Sequence, residues 1–323
     1  MTYSVKKVHV SLEGKTILVA GAAGFVPSHL SEYYLSLGAK VIGLDNFITG
    51  SPGNIEKLKE NNNFKFFECN IYESIPELTE KIDYVFSLAS PASPIDFSEI
   101  PLEIMRVNSE GTLKLLNLSL EKGARFLEAS TSEVYGDPKE HPQKESYLGH
   151  VNPIGPRSCY DESKRFAEAL TMSFHRKFAL DTRIVRIFNT YGPGMRPNDG
   201  RVIPNFINQA LKGEDLTVYG DGSQTRSFCY VSDLVQAIHL VMFGDDPTPF
   251  NCGNPGEVTI LECAQQIIKV LNSSSKISFR DLPEDDPKKR RPDLTKLKNM
   301  SGYAPKVPFA EGIIKTAEFF KNL

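Results

Sequence analysis

A short apolar run, Thr16 to Ala20, breaks at Gly21-Ala22-Ala23-Gly24, and a helical pattern from Phe25 to Leu37 leads into a second apolar run, Lys40 to Leu44. Strand, glycine turn, helix and strand make a βαβ unit, which commits this half of the chain to a parallel sheet. The glycines permit a tight turn, and free N–H groups at the following helix N-terminus bind a pyrophosphate. Two glycines alone are a weak signal. Asp45 strengthens it: it ends the second strand 24 residues after Gly21 (45 − 21), where a carboxylate accepts bonds from a ribose 2′-hydroxyl and repels a 2′-phosphate. The combination points to NAD rather than NADP; the plainer alternative is a structural turn and an ordinary strand-end Asp. Pro27 stands where a third glycine usually serves helix-to-strand packing. In the first turn its missing N–H would be unpaired anyway, although the ring can push helix and sheet apart.

Further strand-like runs follow at Phe64 to Glu68, Tyr84 to Ser87, Arg125 to Glu128 and Thr182 to Phe188, separated by helical stretches such as Ile104 to Glu121 and Asp161 to Phe178. Alternating strands and helices predict an α/β fold with a Rossmann-type, doubly wound parallel sheet. After Asn189 the rhythm changes, with Pro and Gly clusters at Tyr191 to Pro197 and Gly220 to Gly222. We read residues 14–188 as the cofactor domain, with 228–252 returning to it because Tyr230 to Met242 reads as a helix. Residues 189–227 and 253–323 then form a smaller mixed α/β C-terminal substrate-binding domain.

With 323 residues, 40% of them hydrophobic, the chain can bury a large core. A net charge of −3 excludes the global basic field that non-specific nucleic-acid binding needs. The basic cluster Lys288-Lys289-Arg290-Arg291 follows Glu284-Asp285-Asp286 and reads as a solvated turn, with a phosphate contact from Arg291 as the alternative. Cysteines 69, 159, 229, 252 and 263 form no Cys-x-x-Cys pair and no metal-ligand spacing with the histidines, so reduced thiols and no metal site are expected. Met1 to Lys15 lacks an apolar signal core, and no run approaches the ~18 apolar residues of a membrane span. A cytoplasmic protein is the expectation.

Tyr160 and Lys164 stand four residues apart, on one face of a helix. A phenol with a reference pKa near ~10 is a poor base at neutral pH, so a cation that stabilises phenolate is what hydride chemistry needs. Tyr-x-x-x-Lys alone is common by chance, a surface helix pair being the ordinary reading. Ser130-Thr131-Ser132-Glu133-Val134-Tyr135-Gly136 adds weight, because it follows a strand and the carboxyl ends of parallel strands face the ligand crevice.

Gly21-x-x-Gly24-Phe25, Asp45-Asn46, Ser130 to Pro138, Asn152 to Arg165, Asn198 to Val202, Leu216 to Gly220 and Gly222 to Arg226 together resemble UDP-glucuronate decarboxylase, of the extended short-chain dehydrogenase type. The likeness runs from about Gly14 to the C-terminal helix. It implies an NAD-dependent enzyme in which Tyr160 is the base for C4 oxidation, Lys164 lowers its pKa, Thr131 binds the sugar hydroxyl, and Ser132 and Glu133 flank C5. The 4-keto sugar would lose its carboxylate as CO2, be protonated at C5 and be reduced again. The resemblance assigns further cofactor contacts to Phe25, Val26, Asn46, Asn70, Leu88, Ala89 and Asn108. Substrate contacts fall to Asn189, Arg201, Val202, Tyr219, Gln224, Arg226 and Arg291, with a homodimer through a four-helix bundle formed by Ile104 to Glu121 and Arg165 to Phe178.

Besides Pro27, two stretches depart from the pattern: Ser93-Pro94-Ile95-Asp96-Phe97 and Gly194-Met195-Arg196-Pro197. Asp96 near an anionic uronate would be repulsive, so it is expected to point outward. A 4,6-dehydratase must protonate a departing 6-hydroxyl and carries Asp then Glu after the threonine; Ser132 stands where that Asp would be. A nucleotide-sugar 4-epimerase uses the same Thr, Tyr and Lys and stays open. So does a different class, an NAD-binding regulator without chemistry, although Thr131, Tyr160 and Lys164 are all present.

Overall fold

The computed structural model describes residues 11–281 and 289–323. The first ten residues and, from the charged run, Glu284 to Asp286 and Lys288 lie outside the described residues. Six strands, β1 (Thr16–Ala20), β2 (Lys40–Asp45), β3 (Phe64–Glu68), β4 (Tyr84–Ser87), β5 (Arg125–Thr131) and β6 (Thr182–Ile187), join an edge strand, Phe250–Cys252. They form one parallel seven-stranded sheet in the order edge strand, β6, β5, β4, β1, β2, β3. The winding reverses between β1 and β4, and the crevice at such a switch point, outside the carboxyl ends of the strands, is where ligands bind.

Both faces of the sheet are covered, so strand residues are buried on either side. In β1, Ile17 and Val19 join a core with Leu30 and Tyr34 of helix α1 (Phe25–Ser36), while Leu18 and Ala20 join one with Leu115, Phe126 and Phe174. Pro27 is buried at the third position of α1, where its absent N–H is one of the helix's orphan donors. Helix and sheet remain in contact, as the full burial of Leu30 and Tyr34 requires.

Helices α2 (Gly53–Lys59), α3 (Pro94–Glu99) and α4 (Pro101–Arg106) precede a π-helical turn, Val107–Gly111, which runs on into α5 (Thr112–Lys122). The single helix expected over Ile104 to Glu121 is thus interrupted by a wider turn, a feature found often at functional sites. Here it carries Asn108 inward. Helix α6 (Ser158–Phe178) begins three residues before the expected Asp161, which places Tyr160 in its first turn. Strand β5 pairs with β4 as far as Glu128 but with β6 as far as Thr131, so the ladder outlasts the apolar pattern and brings Thr131 to the crevice.

Beyond the sheet, α7 (Val202–Lys212) packs against helix Ile260–Leu271, and α8 (Val231–Met242) packs on α1 and β6. Thr225–Ser227 pairs with Glu257–Thr259 and with Lys289–Arg290. That last pairing overturns the solvated-turn reading at Arg290, which is 1% exposed. Among the described residues its counter-charge is a carboxylate 157 positions away, Glu133.

Candidate active site

One cavity of about 810 Å³ runs along the crevice, from Gly21 and Asp45 to Thr131, Tyr160 and Lys164 and on to Gln224 and Arg226. At its first end the turn requires glycine. Gly21 has φ +82°, and a Cβ there would come within 2.8 Å of the Ala89 backbone. Gly24 precedes α1 without any side-chain cap, leaving the first N–H groups of the helix, from Phe25 and Val26, for a phosphate. Asp45, 8% exposed, accepts from Ala23 N (2.9 Å) and Phe47 N (2.8 Å). Burial pushes its carboxyl up while these backbone bonds lower it. Each oxygen keeps a lone pair for a ribose hydroxyl. This uncapped turn and buried carboxylate fit a dinucleotide, and they fit NAD better than its 2′-phosphorylated form.

Thr131, Tyr160 and Lys164 meet beyond the strand ends. Tyr160 stacks on Phe97, with ring centroids 5.1 Å apart. Burial raises its phenol well above the ordinary value; the hydrogen bond with Thr131 and the nearby Arg201 cation act the other way, and Glu133 and Asp161 raise it further. Lys164, 3% exposed, donates to Ala129 O (2.7 Å) and Glu128 Oε1 (3.2 Å). The ammonium is therefore held from beneath by β5.

Glu133 lies in a nest of cations. Its Oε2 accepts from Arg157 (2.6 Å) and from Arg290 (3.1 Å), and Arg290 also donates to Ser132 O. Burial alone would raise this carboxyl, but the charges of Arg290, Arg157 and Arg226 overcome it and hold the pKa at about 2. Glu133 is accordingly a fixed carboxylate at neutral pH. Asp161, 6% exposed, is pushed up to about 7 by burial and by Glu133. It is the carboxyl of this cluster that can hold a proton near neutrality.

All but two of the site residues expected from sequence line the cavity: Phe25, Val26, Asn46, Asn70, Leu88, Ala89, Asn189, Val202, Tyr219, Gln224 and the residues above. Asn108 is one step behind the wall, its amide donating to Ser90 Oγ (3.0 Å) and Ser163 Oγ (3.1 Å). Arg291 is not on the wall; it faces Glu257 at 3.9 Å, and Arg290 takes the inner place. In a strand adjacent residues point to opposite sides, so in this basic run only one of the two arginines reaches the cavity.

Asp96 also corrects an expectation. It is 3% exposed and on the cavity wall, where Arg196 meets both its oxygens (3.0 and 2.7 Å). The two stretches that depart from the pattern are thus one ion pair, and the repulsion that argued for an outward Asp96 is cancelled by its partner. Sequence reasoning also missed Arg157 and Glu128. Arg157 carried a signal, since it stands three residues before Tyr160, but the buried carboxylate of Glu128 inside an apolar strand had none beyond its incongruity.

Residues 17–253 match the model of the NAD dependent epimerase/dehydratase family. UDP-glucuronic acid decarboxylase 4 of Arabidopsis thaliana is 50% identical over 318 residues, 98% of this chain and 71% of the relative. Among solved structures, UDP-glucose 4-epimerase of Thermotoga maritima has a TM-score of 0.86 at 30% identity, covering 95% of this chain and 99% of its own. UDP-glucuronic acid 4-epimerase of Bacillus cereus, in complex with UDP-glucuronic acid and NAD, has a TM-score of 0.84 at 28% identity, covering 95% and 99%. With the family model spanning most of the chain and the glycine turn, Thr131, Tyr160 and Lys164 gathered at one crevice, this protein belongs to the NAD dependent epimerase/dehydratase family.

Proposed function

We propose that the protein converts UDP-glucuronate to UDP-xylose and CO2. The observation that carries the choice of an acidic sugar is the cluster around Glu133, where three guanidinium groups surround one carboxylate. Such a surplus of positive charge suits a substrate bearing both a diphosphate and a uronate. The half-identical decarboxylase relative supports the same reading.

When bound, NAD supplies an acceptor for one hydride and returns it within the turnover. Tyr160, as phenolate, takes the proton of the sugar 4-hydroxyl, with Thr131 holding that oxygen. Oxidation at C4 makes the uronate a β-keto acid; its C5–carboxyl bond breaks, CO2 leaves, and the electron pair stays on the C4–C5 enolate. Ser132 and Glu133 flank C5, and a proton delivered there restores the 4-ketone. Tyr160 then returns its proton to O4 as C4 is reduced. Glu133, held as carboxylate, orients Arg157 and Arg290 rather than donating the proton.

Asn189, Arg201, Val202, Tyr219, Gln224 and Arg226 are assigned to the nucleotide-sugar side of the cavity in this reading. The chain divides into a cofactor unit, 14–188 with 228–252, and a sugar unit, 189–227 with 253–323. A homodimer through α4, α5 and α6 belongs to the same proposal, supported by the exposure of Leu102 (68%), Met105, Leu113 and Phe166 on those helices; a monomer in sedimentation would remove it. A reducing, cytoplasmic setting accords with five unbridged cysteines. Among the described residues no helix is long and apolar enough to cross a membrane.

The test is to incubate the NAD-loaded protein with UDP-glucuronate and follow CO2 and the sugar by NMR. CO2 with UDP-xylose is the expected result, and Tyr160→Phe should lower its rate by about 10²–10⁴-fold. UDP-galacturonate without CO2 would replace this reading with 4-epimerisation, the activity named for the Bacillus cereus relative.

A further inference from the structure

Glu128 is a carboxylate with no solvent exposure in the middle of a parallel sheet, paired with Ser87 on β4 and Ile184 on β6. Placing a charge there is costly unless it is paired, and replacing such a pair with apolar residues is often stabilising. A core alone gives no reason for it. Its partner is the Lys164 ammonium, whose side chain is 4% exposed and which spends a second bond on Ala129 O. An ammonium has three protons, so these two acceptors leave the third for the cavity that Lys164 lines.

We propose that Glu128 is a positioning residue: it anchors Lys164 from below, fixes where the ammonium presents its remaining proton, and offsets part of the cation's field at Tyr160. The inference rests on the reading of Tyr160 and Lys164 as the proton-transfer pair. Ser87 on β4 and Glu168 on α6 also act on Glu128, while Asp161 on α6 and Glu133, Arg201 and Thr131 from the loops and strand end act on Tyr160. Burial raises the Glu128 carboxyl, and Lys164 and Ser87 favour its charged form.

Three variants separate charge from shape. Glu128→Gln keeps the volume and removes the negative charge; the acidic limb of kcat against pH, set by Tyr160, should fall by on the order of one pH unit. Glu128→Asp keeps the charge and should leave that limb in place. A thermal-unfolding cycle of the protein without substrate adds a readout independent of turnover. Lys164→Met strands a buried carboxylate and Glu128→Leu strands a buried ammonium, so the double variant Glu128→Leu/Lys164→Met should melt above either single one. An unmoved acidic limb in an active Glu128→Gln protein, or additive losses in melting temperature, would overturn the proposal. If the parent protein does not turn over UDP-glucuronate, the proposed function fails by itself, and the unfolding cycle still decides the anchoring of Lys164 by Glu128.

Discussion

The two ends of the cavity are built by different means. At the cofactor end, contacts are backbone to backbone or backbone to one carboxylate: Gly21 N and Ala22 N donate to Leu44 O at 2.7 and 3.0 Å, and Ala23 N donates to Asp45. At the sugar end, side-chain charges meet across long stretches of chain, Glu133 with Arg290 and Asp96 with Arg196. A scaffold of backbone bonds tolerates side-chain change but not a changed dihedral. A scaffold of buried ion pairs has the opposite weakness, because removing one partner leaves the other uncompensated.

Removal of the Glu133 charge should give the largest contrast. Glu133→Gln leaves Arg290, 1% exposed, and Arg157 facing a neutral amide. A loss of about 3–5 kcal/mol in unfolding free energy is expected from a broken buried pair. Denaturant titration measures it, and calorimetry should find NAD affinity within about threefold of the parent wherever the protein is folded, because the Gly21 turn and Asp45 are untouched. A parallel fall in NAD affinity would show that the two ends are not independent.

Gly21→Ala probes the other end. The left-handed conformation costs an L-residue about 1–2 kcal/mol, and the Cβ overlap with the Ala89 backbone adds to it. NAD binding should be lost or weakened at least about tenfold, with a fall in melting temperature of several degrees. The Glu133–Arg290 pair should survive, so the acid limb of stability against pH should keep the parent's shape. A variant that binds NAD normally would remove the steric account of this turn.

The same contrast explains what the sequence made legible. Gly21, Gly24 and Asp45 belong to one βαβ unit, and a local motif records local geometry, so spacing alone located that end. Tyr160 and Lys164 share a helix face and were likewise readable. Arg290 was not, because its partner Glu133 is 157 positions distant and no local spacing connects the two. Asp96 and Arg196, 100 positions apart, each looked like an isolated departure until the fold joined them. Resemblance carried the roles of residues such as Asn189 and Gln224, for which periodicity and spacing say nothing.

Asp161 gives the smallest effect and the finest discrimination, because its carboxyl brings a proton of the Glu133 cluster within reach of neutral pH. Its carboxyl sits at about 7 in the folded protein against ~3.9 unfolded. Between these values the folded state binds more protons than the unfolded one, so this group lowers stability as pH rises from about 4 to 7, and its contribution is level above that. Glu133, at about 2 when folded, does the reverse: its contribution is complete above ~4.3 and is lost as pH falls toward 2. Asp161→Asn should flatten the decline between pH 5 and 7, a change on the order of 2 kcal/mol across that window, while leaving the steeper acid loss in place. Chemical denaturation at pH 5, 6 and 7 reads the difference directly. A parent protein whose stability rises through this window, or an Asp161→Asn protein that keeps the parent's slope, would place the neutral-pH proton on another group and leave the Glu133 cluster with its arginines alone.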